Sequence, residues 1–154
     1  MAVIRAQAAL AKGAALEDFS YEPEELGPSD VEIEISHCGL CHSDLHLIDD
    51  SWSQAHAVTL VDFRGKHNIG LLTGKRYMTH NGHDPGEREP LGVYWYERVM
   101  APGGRLEWAK HVLDYGGRTG GGIQIPVADI DGDGDLDFVV AGKSGLFLFE
   151  NKTK

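Results

Sequence analysis

The chain has 154 residues, of which 42% are hydrophobic and 25% are charged, values typical of one globular domain. Its formal net charge of −10 argues against nucleic acid as a partner, because phosphates require a basic surface. A membrane-spanning helix needs about 18 consecutive apolar residues, and the sequence has no such run.

The N-terminal residues and the cysteines favour a cytoplasmic location. Arg5 and Lys12 interrupt the apolar run that a secretory signal would need. Both cysteines lie in one C-x-x-C motif, Cys38 and Cys41, which excludes a disulfide framework and suits a reducing compartment.

Charge and glycine are unevenly distributed along the chain. Residues 1–52 hold two basic and eleven acidic side chains with three glycines, whereas residues 53–154 hold twelve basic and thirteen acidic side chains with seventeen glycines. The change predicts two parts of different origin, 1–52 and 53–154, which either pack as one hybrid β domain or are loosely joined. Natural recombination, deliberate segment shuffling and misassembly of the sequence would each produce such a boundary.

The sequence of residues 1–52 predicts short strands. The segment AVIRAQAAL (2–10) is a candidate strand, and LEDFSYEPEELGP (16–28) reads as a loop or a short helical turn. After the turn signal GPSD, the segment VEIEISHCG (31–39) alternates apolar and acidic residues, the period of a half-buried strand.

The stretch HCGLCHSDLH (37–46) concentrates potential zinc ligands. With its flanking residues PSDVEIEIS and LIDDSW, it resembles the N-terminal, GroES-like part of zinc-dependent alcohol dehydrogenases of the cinnamyl type. The resemblance implies that Cys41 is a ligand of a catalytic zinc and that Asp44 supports the metal shell. It also implies that His42 and Ser43 assist cofactor-phosphate binding and proton relay.

The rest of such an active site is missing from the sequence. A catalytic zinc needs three protein ligands, yet the chain contains no Gly-His-Glu triplet and no G-x-G-x-x-G fingerprint for a dinucleotide. We therefore expect no dehydrogenase activity and no NAD(P) binding. Cys38, Cys41 and His42 could still hold an adventitious zinc; the alternative is a metal-free relic of the parent fold.

The strongest signal in the second part is the acidic stretch DIDGDGDLD (129–137). Its aspartates stand at positions 1, 3, 5, 7 and 9 of a D-x-D-x-D-G calcium loop, with position 7 offering its backbone carbonyl: Asp129, Asp131, Asp133, Asp135 and Asp137. Position 12 is Val140 instead of glutamate and the flanks are rich in strand-forming residues, so we expect a calcium loop between strands and not an EF-hand. The alternative is a solvated acidic turn.

The sequence around this loop resembles the FG-GAP/VCBS repeats of β-propellers. The stretch VDFRGKHNIGLLTGK (61–75) aligns with ADIDGDGDLDFVVAGK (128–143), and GVYWYE (92–97) with GLFLFE (145–150). The resemblance implies one four-stranded blade, with strands at 56–62, 68–75, 91–99 and 106–114, and part of a second blade from residue 122. The predicted fold is mainly β, a partial propeller of fewer than two blades with an N-terminal β segment of GroES-like origin.

These patterns predict a non-catalytic, calcium-binding β module for interaction or scaffolding. Two alternatives remain: an inactive remnant of a zinc-dependent, NAD(P)-linked alcohol dehydrogenase, and a chimera with no evolved activity. Open sheet edges predict self-association. Residues 76–90 form an inserted polar loop, in which His80, His83, Asp84 and Glu87 either line a site or face solvent.

Overall fold

The computed structural model describes residues 3–8, 10–11, 17–25, 27–31, 33, 39 and 42–153. The chain divides into two compact units, residues 1–38 and residues 39–154. Strands account for 41% of the structure and helices for 7%, which confirms the mainly-β prediction. The sheets are open, and the described residues form no closed propeller. None of their helices has the length and apolar character needed to cross a membrane.

The described part of the first unit contains an antiparallel pair, β1 (Ile4–Ala8) and β2 (Glu17–Tyr21). Strand β1 confirms the centre of the strand predicted for 2–10. The prediction of a loop or helical turn at 16–28 is wrong for β2, because Phe19 and Tyr21 alternate onto one face, with ring centroids 6.1 Å apart, and the strand pairs with β1. The strand predicted for 31–39 falls mostly outside the described residues.

A four-stranded antiparallel sheet forms the centre of the second unit. Its strands lie in sequence order: β3 (Ala55–Val61), β4 (Gly70–Lys75), β5 (Gly92–Met100) and β6 (Leu106–Tyr115). They coincide with the four strands predicted at 56–62, 68–75, 91–99 and 106–114. The period of two places Val93 and Trp95 on one face of β5 and Tyr94 and Tyr96 on the other.

A second, three-stranded sheet covers the face that carries Trp95. It consists of β7 (Val127–Ala128), β8 (Asp137–Gly142) and β9 (Gly145–Phe149). The buried side chains Phe138 and Val140 of this sheet pack with Ile125 against Leu72 and Trp95 of the central sheet. The two sheets therefore share one hydrophobic core.

A short helix, α1 (His42–Ile48), contributes to the cluster on the opposite face of the central sheet. Leu45 and Ile48 stand three residues apart, so they share a helix face, and Leu45 is buried with Tyr94 and Tyr96. The predicted boundary after Trp52 concerns the origin of the two parts and stays a prediction. In space, α1 and the residues that follow it belong to the second unit.

Polar contacts join the segment after α1 to β5 and β6. The Trp52 indole N–H donates to the Tyr96 hydroxyl at 2.7 Å, and that hydroxyl donates to Asp49 Oδ2 at 2.7 Å. Lys110 Nζ also donates to Asp49 Oδ2 at 2.7 Å and lies 4.5 Å from the centre of the Tyr94 ring. One carboxylate thus connects three segments of the chain.

Each sheet of the second unit has two edge strands. Within the described residues, β3 and β6 bound the central sheet, and β7 and β9 bound the smaller one. Strand β9 exposes Leu146 and Leu148, at 72% and 59% of their full accessible surface. Unpaired edges of this kind can pair with another chain, so self-association stays a prediction.

We predict that replacing Asp49 by asparagine destabilises the second unit. Burial raises the pKa of Asp49, but hydrogen bonds from Lys110, Ser51 and Tyr96 outweigh it and hold the pKa well below its usual range. The folded state therefore gains stability above the unfolded pKa of about 4, and loses it as pH falls through the folded pKa. Asp49→Asn should lower the free energy of unfolding by about 1–3 kcal/mol at neutral pH, as measured by denaturant titration.

The matched control is Asp50→Asn, which removes the same charge from the neighbouring, exposed position. Asp50→Asn should leave stability nearly unchanged, and the difference between the two variants should shrink as the pH is lowered. Equal stabilities of the two variants at neutral pH would show that the Asp49 contacts contribute nothing.

Candidate functional site

The acidic loop lies between β7 and β8 and turns through two glycines. Gly132 and Gly134 have φ values of 81° and 95°, a left-handed conformation that glycine adopts without steric cost. These turns bring carboxylate oxygens of Asp129, Asp131 and Asp137 to within 4.8 Å of one another. The cluster contains three of the five predicted calcium ligands and leaves out Asp133 and Asp135.

Asp137 has a structural role that the sequence did not reveal. Its side chain is buried, and its two oxygens accept the backbone N–H groups of Asn151 at 2.8 Å and Ile130 at 2.9 Å. These two bonds lower the pKa of Asp137. The carboxylate therefore ties the start of the loop to the segment after β9, a contact across fourteen residues that no local motif signals.

The remaining loop carboxylates organise the turn. Asp129 accepts the backbone N–H groups of Gly132 and Gly134 at 2.8 and 3.1 Å, and Asp131 accepts that of Asp133 at 3.2 Å. A carboxylate has about four acceptor positions, so these bonds leave further lone pairs available to a cation.

Asp135 differs from its neighbours. Its Oδ1 atom is shielded from solvent without a hydrogen-bond donor. Burial, followed by the charges of Asp133 and Asp137, raises the pKa of Asp135. A cation in the loop would oppose this repulsion.

The spacing of the three clustered carboxylates fits a calcium ion. Calcium takes oxygen ligands at about 2.3–2.6 Å, so two ligands on opposite sides of the ion lie about 5 Å apart. The 4.8 Å limit on the distances among the Asp129, Asp131 and Asp137 oxygens falls within that span. Backbone carbonyls and water would have to supply the remaining ligands.

The cysteine–histidine cluster is described only in part. Cys38, Cys41 and the side chain of His42 lie outside the described residues. Ser43 and Asp44 occupy the first turn of α1, Ser43 exposed and Asp44 half-buried. Among the described residues, the acidic loop is the one group of three or more metal-binding side chains close enough to share an ion.

The inserted loop 76–90 distributes its titratable side chains over separate contacts. His80 Nδ1 lies 2.6 Å from Asp84 Oδ2, which also accepts a bond from the Gln54 amide at 3.2 Å. Glu87 is buried and pairs with Arg88 at 3.2 Å, while His83 is exposed. The structure does not bring these residues together into one metal-binding group.

Comparisons with known proteins find similarity over part of the chain. The chain is 48% identical over 50 residues to the aldehyde reductase AdhA of Synechocystis, a match that covers 32% of this chain and 15% of that protein. It is 44% identical over 50 residues to the aldehyde reductase YahK of Escherichia coli, a match that covers 32% of this chain and 14% of that protein. The chain is also 38% identical over 58 residues to cinnamyl alcohol dehydrogenase 8 of Arabidopsis thaliana, a match that covers 38% of this chain and 15% of that protein.

No family model and no solved structure matches the chain. The matched segments amount to about a seventh of the length of these curated relatives. The comparisons support the alcohol-dehydrogenase-like part of the predicted resemblance, and they contain no support for the FG-GAP/VCBS part. About a third of this chain is therefore similar to aldehyde reductases and cinnamyl alcohol dehydrogenases.

Proposed function

We propose that residues 1–52 are a remnant of a zinc-dependent, NAD(P)-linked alcohol dehydrogenase, and that they retain the ability to bind zinc without catalysing turnover. The observation that carries this proposal is the 48% identity to an aldehyde reductase over 50 residues. Thiolate and imidazole are donors that suit zinc. Cys41 would be the main ligand, with Cys38 and His42 as further donors and Ser43 and Asp44 as the relic of the relay.

The residues of the second unit support the absence of turnover. The helix that carries Ser43 and Asp44 contributes Leu45 to a cluster with β5. The segment after Trp52 forms strand β3, and the sequence supplies no Gly-His-Glu triplet there. Without that triplet, Cys41 lacks the partner ligands that a dehydrogenase-type catalytic zinc requires.

Cobalt(II) titration of the metal-stripped protein tests zinc binding. We predict a thiolate-to-cobalt absorption band that zinc abolishes, and loss of that band in Cys41→Ser. The matched variant Cys38→Ser tests whether Cys38 is a ligand. The absorption band should persist if Cys41 binds the metal without Cys38, as in the dehydrogenase-like ligand set, and should disappear if both cysteines are needed. Absence of a band in the unaltered protein would contradict the zinc proposal. Measurable reduction of an aldehyde by NADPH would contradict the proposed lack of turnover.

The acidic loop favours a second candidate function, a calcium-binding β module for interaction or scaffolding. The supporting observation is the convergence of Asp129, Asp131 and Asp137 within 4.8 Å. Asp137 also holds Ile130 and Asn151, so a cation at this position would connect the loop, β8 and the segment after β9. Binding would therefore stabilise the smaller sheet and, through the shared core, the central sheet.

Calcium titration with parallel melting curves tests this second candidate. We predict one binding event, and a gain in the free energy of unfolding of about 3–4 kcal/mol when calcium is at about 100–1,000 times its Kd. Asp131→Asn should abolish both effects, because Asp131 belongs to the cluster and holds only one local backbone contact. Asp50→Asn removes the same charge outside the loop and should retain them. Unchanged melting with no heat of binding would contradict the proposal.

A further inference from the structure

A cavity of about 300 Å³ lies at the end of β4, and none of the residues that line it belongs to the acidic loop. We call it the glycine-lined cavity. It is lined by Arg76, Tyr77 and Thr79, by Lys143 and Ser144 from the β8–β9 turn, by residues 120–122, and by the apolar side chains of Leu91 and Ile123. A second cavity of about 420 Å³ shares Tyr77, Lys143 and Ser144 with it.

The glycines of residues 120–122 line the cavity and allow close backbone contact. A Cβ atom on Gly121 would lie 2.3 Å from the carbonyl oxygen of Gly74 in β4, and one on Gly122 would lie 2.0 Å from that of Ala141 in β8. The backbone of this segment thus fits between the two sheets. This packing explains the glycine-rich sequence of residues 120–122. Any group that binds a ligand in the cavity must therefore belong to the side chains around this segment.

Two cationic side chains face the cavity without a carboxylate partner. The Nε atom of Arg76 is shielded from solvent and has no acceptor, and among the described residues no ion pair involves Arg76 or Lys143. Lys143 Nζ donates to the Met78 carbonyl at 2.7 Å, a bond that leaves its charge uncompensated. A shielded guanidinium Nε–H without an acceptor is costly, so an anion in the cavity that accepts this bond would be stabilised.

Asp84 is close enough to Arg76 for the guanidinium to help lower the pKa of Asp84. Its carboxylate is bonded to His80 and Gln54, however, and makes no ion pair with Arg76. The residues that line the cavity include two cations and no acid, in a chain whose net charge is −10.

The backbone beside the cavity is strained. Met78, His80 and Asn81 have φ values of 45°, 49° and 59°, a left-handed conformation that is uncommon outside glycine. Strain of this kind concentrates at ligand clamps and switch regions. The hydroxyl of Thr79, between these residues, is shielded from solvent and has no hydrogen-bond partner.

We propose that the glycine-lined cavity binds a small oxyanion, a phosphate group or a carboxylate, between Arg76 and Lys143. The guanidinium and the ammonium supply charge-assisted hydrogen bonds, and reorientation of the Thr79 hydroxyl supplies a further donor. The volume of about 300 Å³ leaves room for an organic group attached to the anion. This proposal depends neither on zinc nor on calcium binding.

Calorimetric titration of the metal-stripped protein with inorganic phosphate and with acetate, at constant ionic strength and with no chelator present, tests the proposal. We expect saturable binding of at least one anion, and Arg76→Gln should weaken it at least tenfold. The matched control is Arg105→Gln, which removes the same charge from an exposed side chain paired with Glu107 in the β5–β6 turn, and it should bind as the unaltered protein does.

The two anions distinguish the ligand classes. Preference for phosphate would assign the cavity to phosphorylated compounds, and preference for acetate would assign it to carboxylates. If Arg76→Gln melts at a lower temperature than the unaltered protein, Lys143→Gln provides the same test, because it removes the other cation that lines the cavity. The proposal is overturned if neither anion binds saturably, or if Arg105→Gln weakens binding as much as Arg76→Gln.

Discussion

The second unit depends on one carboxylate, that of Asp49. Asp49 lies just after a seven-residue helix, which is too short to be stable alone in water. Its oxygen accepts the hydroxyl of Tyr96 and the ammonium of Lys110, each at 2.7 Å, while Leu45 of the helix is buried in the same cluster. These contacts attach the segment after α1 to the central sheet, so that the helix and this segment share the core of the sheet.

The strands of the central sheet could be predicted from the sequence, because residues 61–75 and 92–97 repeat the pattern of residues 128–143 and 145–150. Strand β2 could not be predicted, since Phe19 and Tyr21 are flanked by acids and form a strand only by pairing with β1. The acidic loop was predictable as a local motif. The second role of Asp137 was not, because Asn151 reaches it only when β8 and β9 pair.

The two metal ions proposed for this chain would use different donors. The cysteine–histidine motif offers thiolate and imidazole, which select zinc, whereas the acidic loop offers hard oxygen donors, which select calcium. The loop carboxylates also hold the turn through backbone N–H groups. An ion would relieve the repulsion that raises the pKa of Asp135, and so would add to stability.

Hydrogen exchange tests most directly the central claim, that residues 42–52 fold as part of the β unit. Mass spectrometry of peptides covering α1 and β5 would report the opening free energy of each segment. The amide of Asp49, just after α1, donates to the Leu45 carbonyl at 2.8 Å and so closes the last turn of the helix. The structure predicts that the opening free energy of such helical amides lies within about 1 kcal/mol of that of β5. It also predicts that both segments lose protection together in Asp49→Asn. Exchange of α1 at the rate of an unfolded peptide, while β5 remains protected, would contradict the shared core.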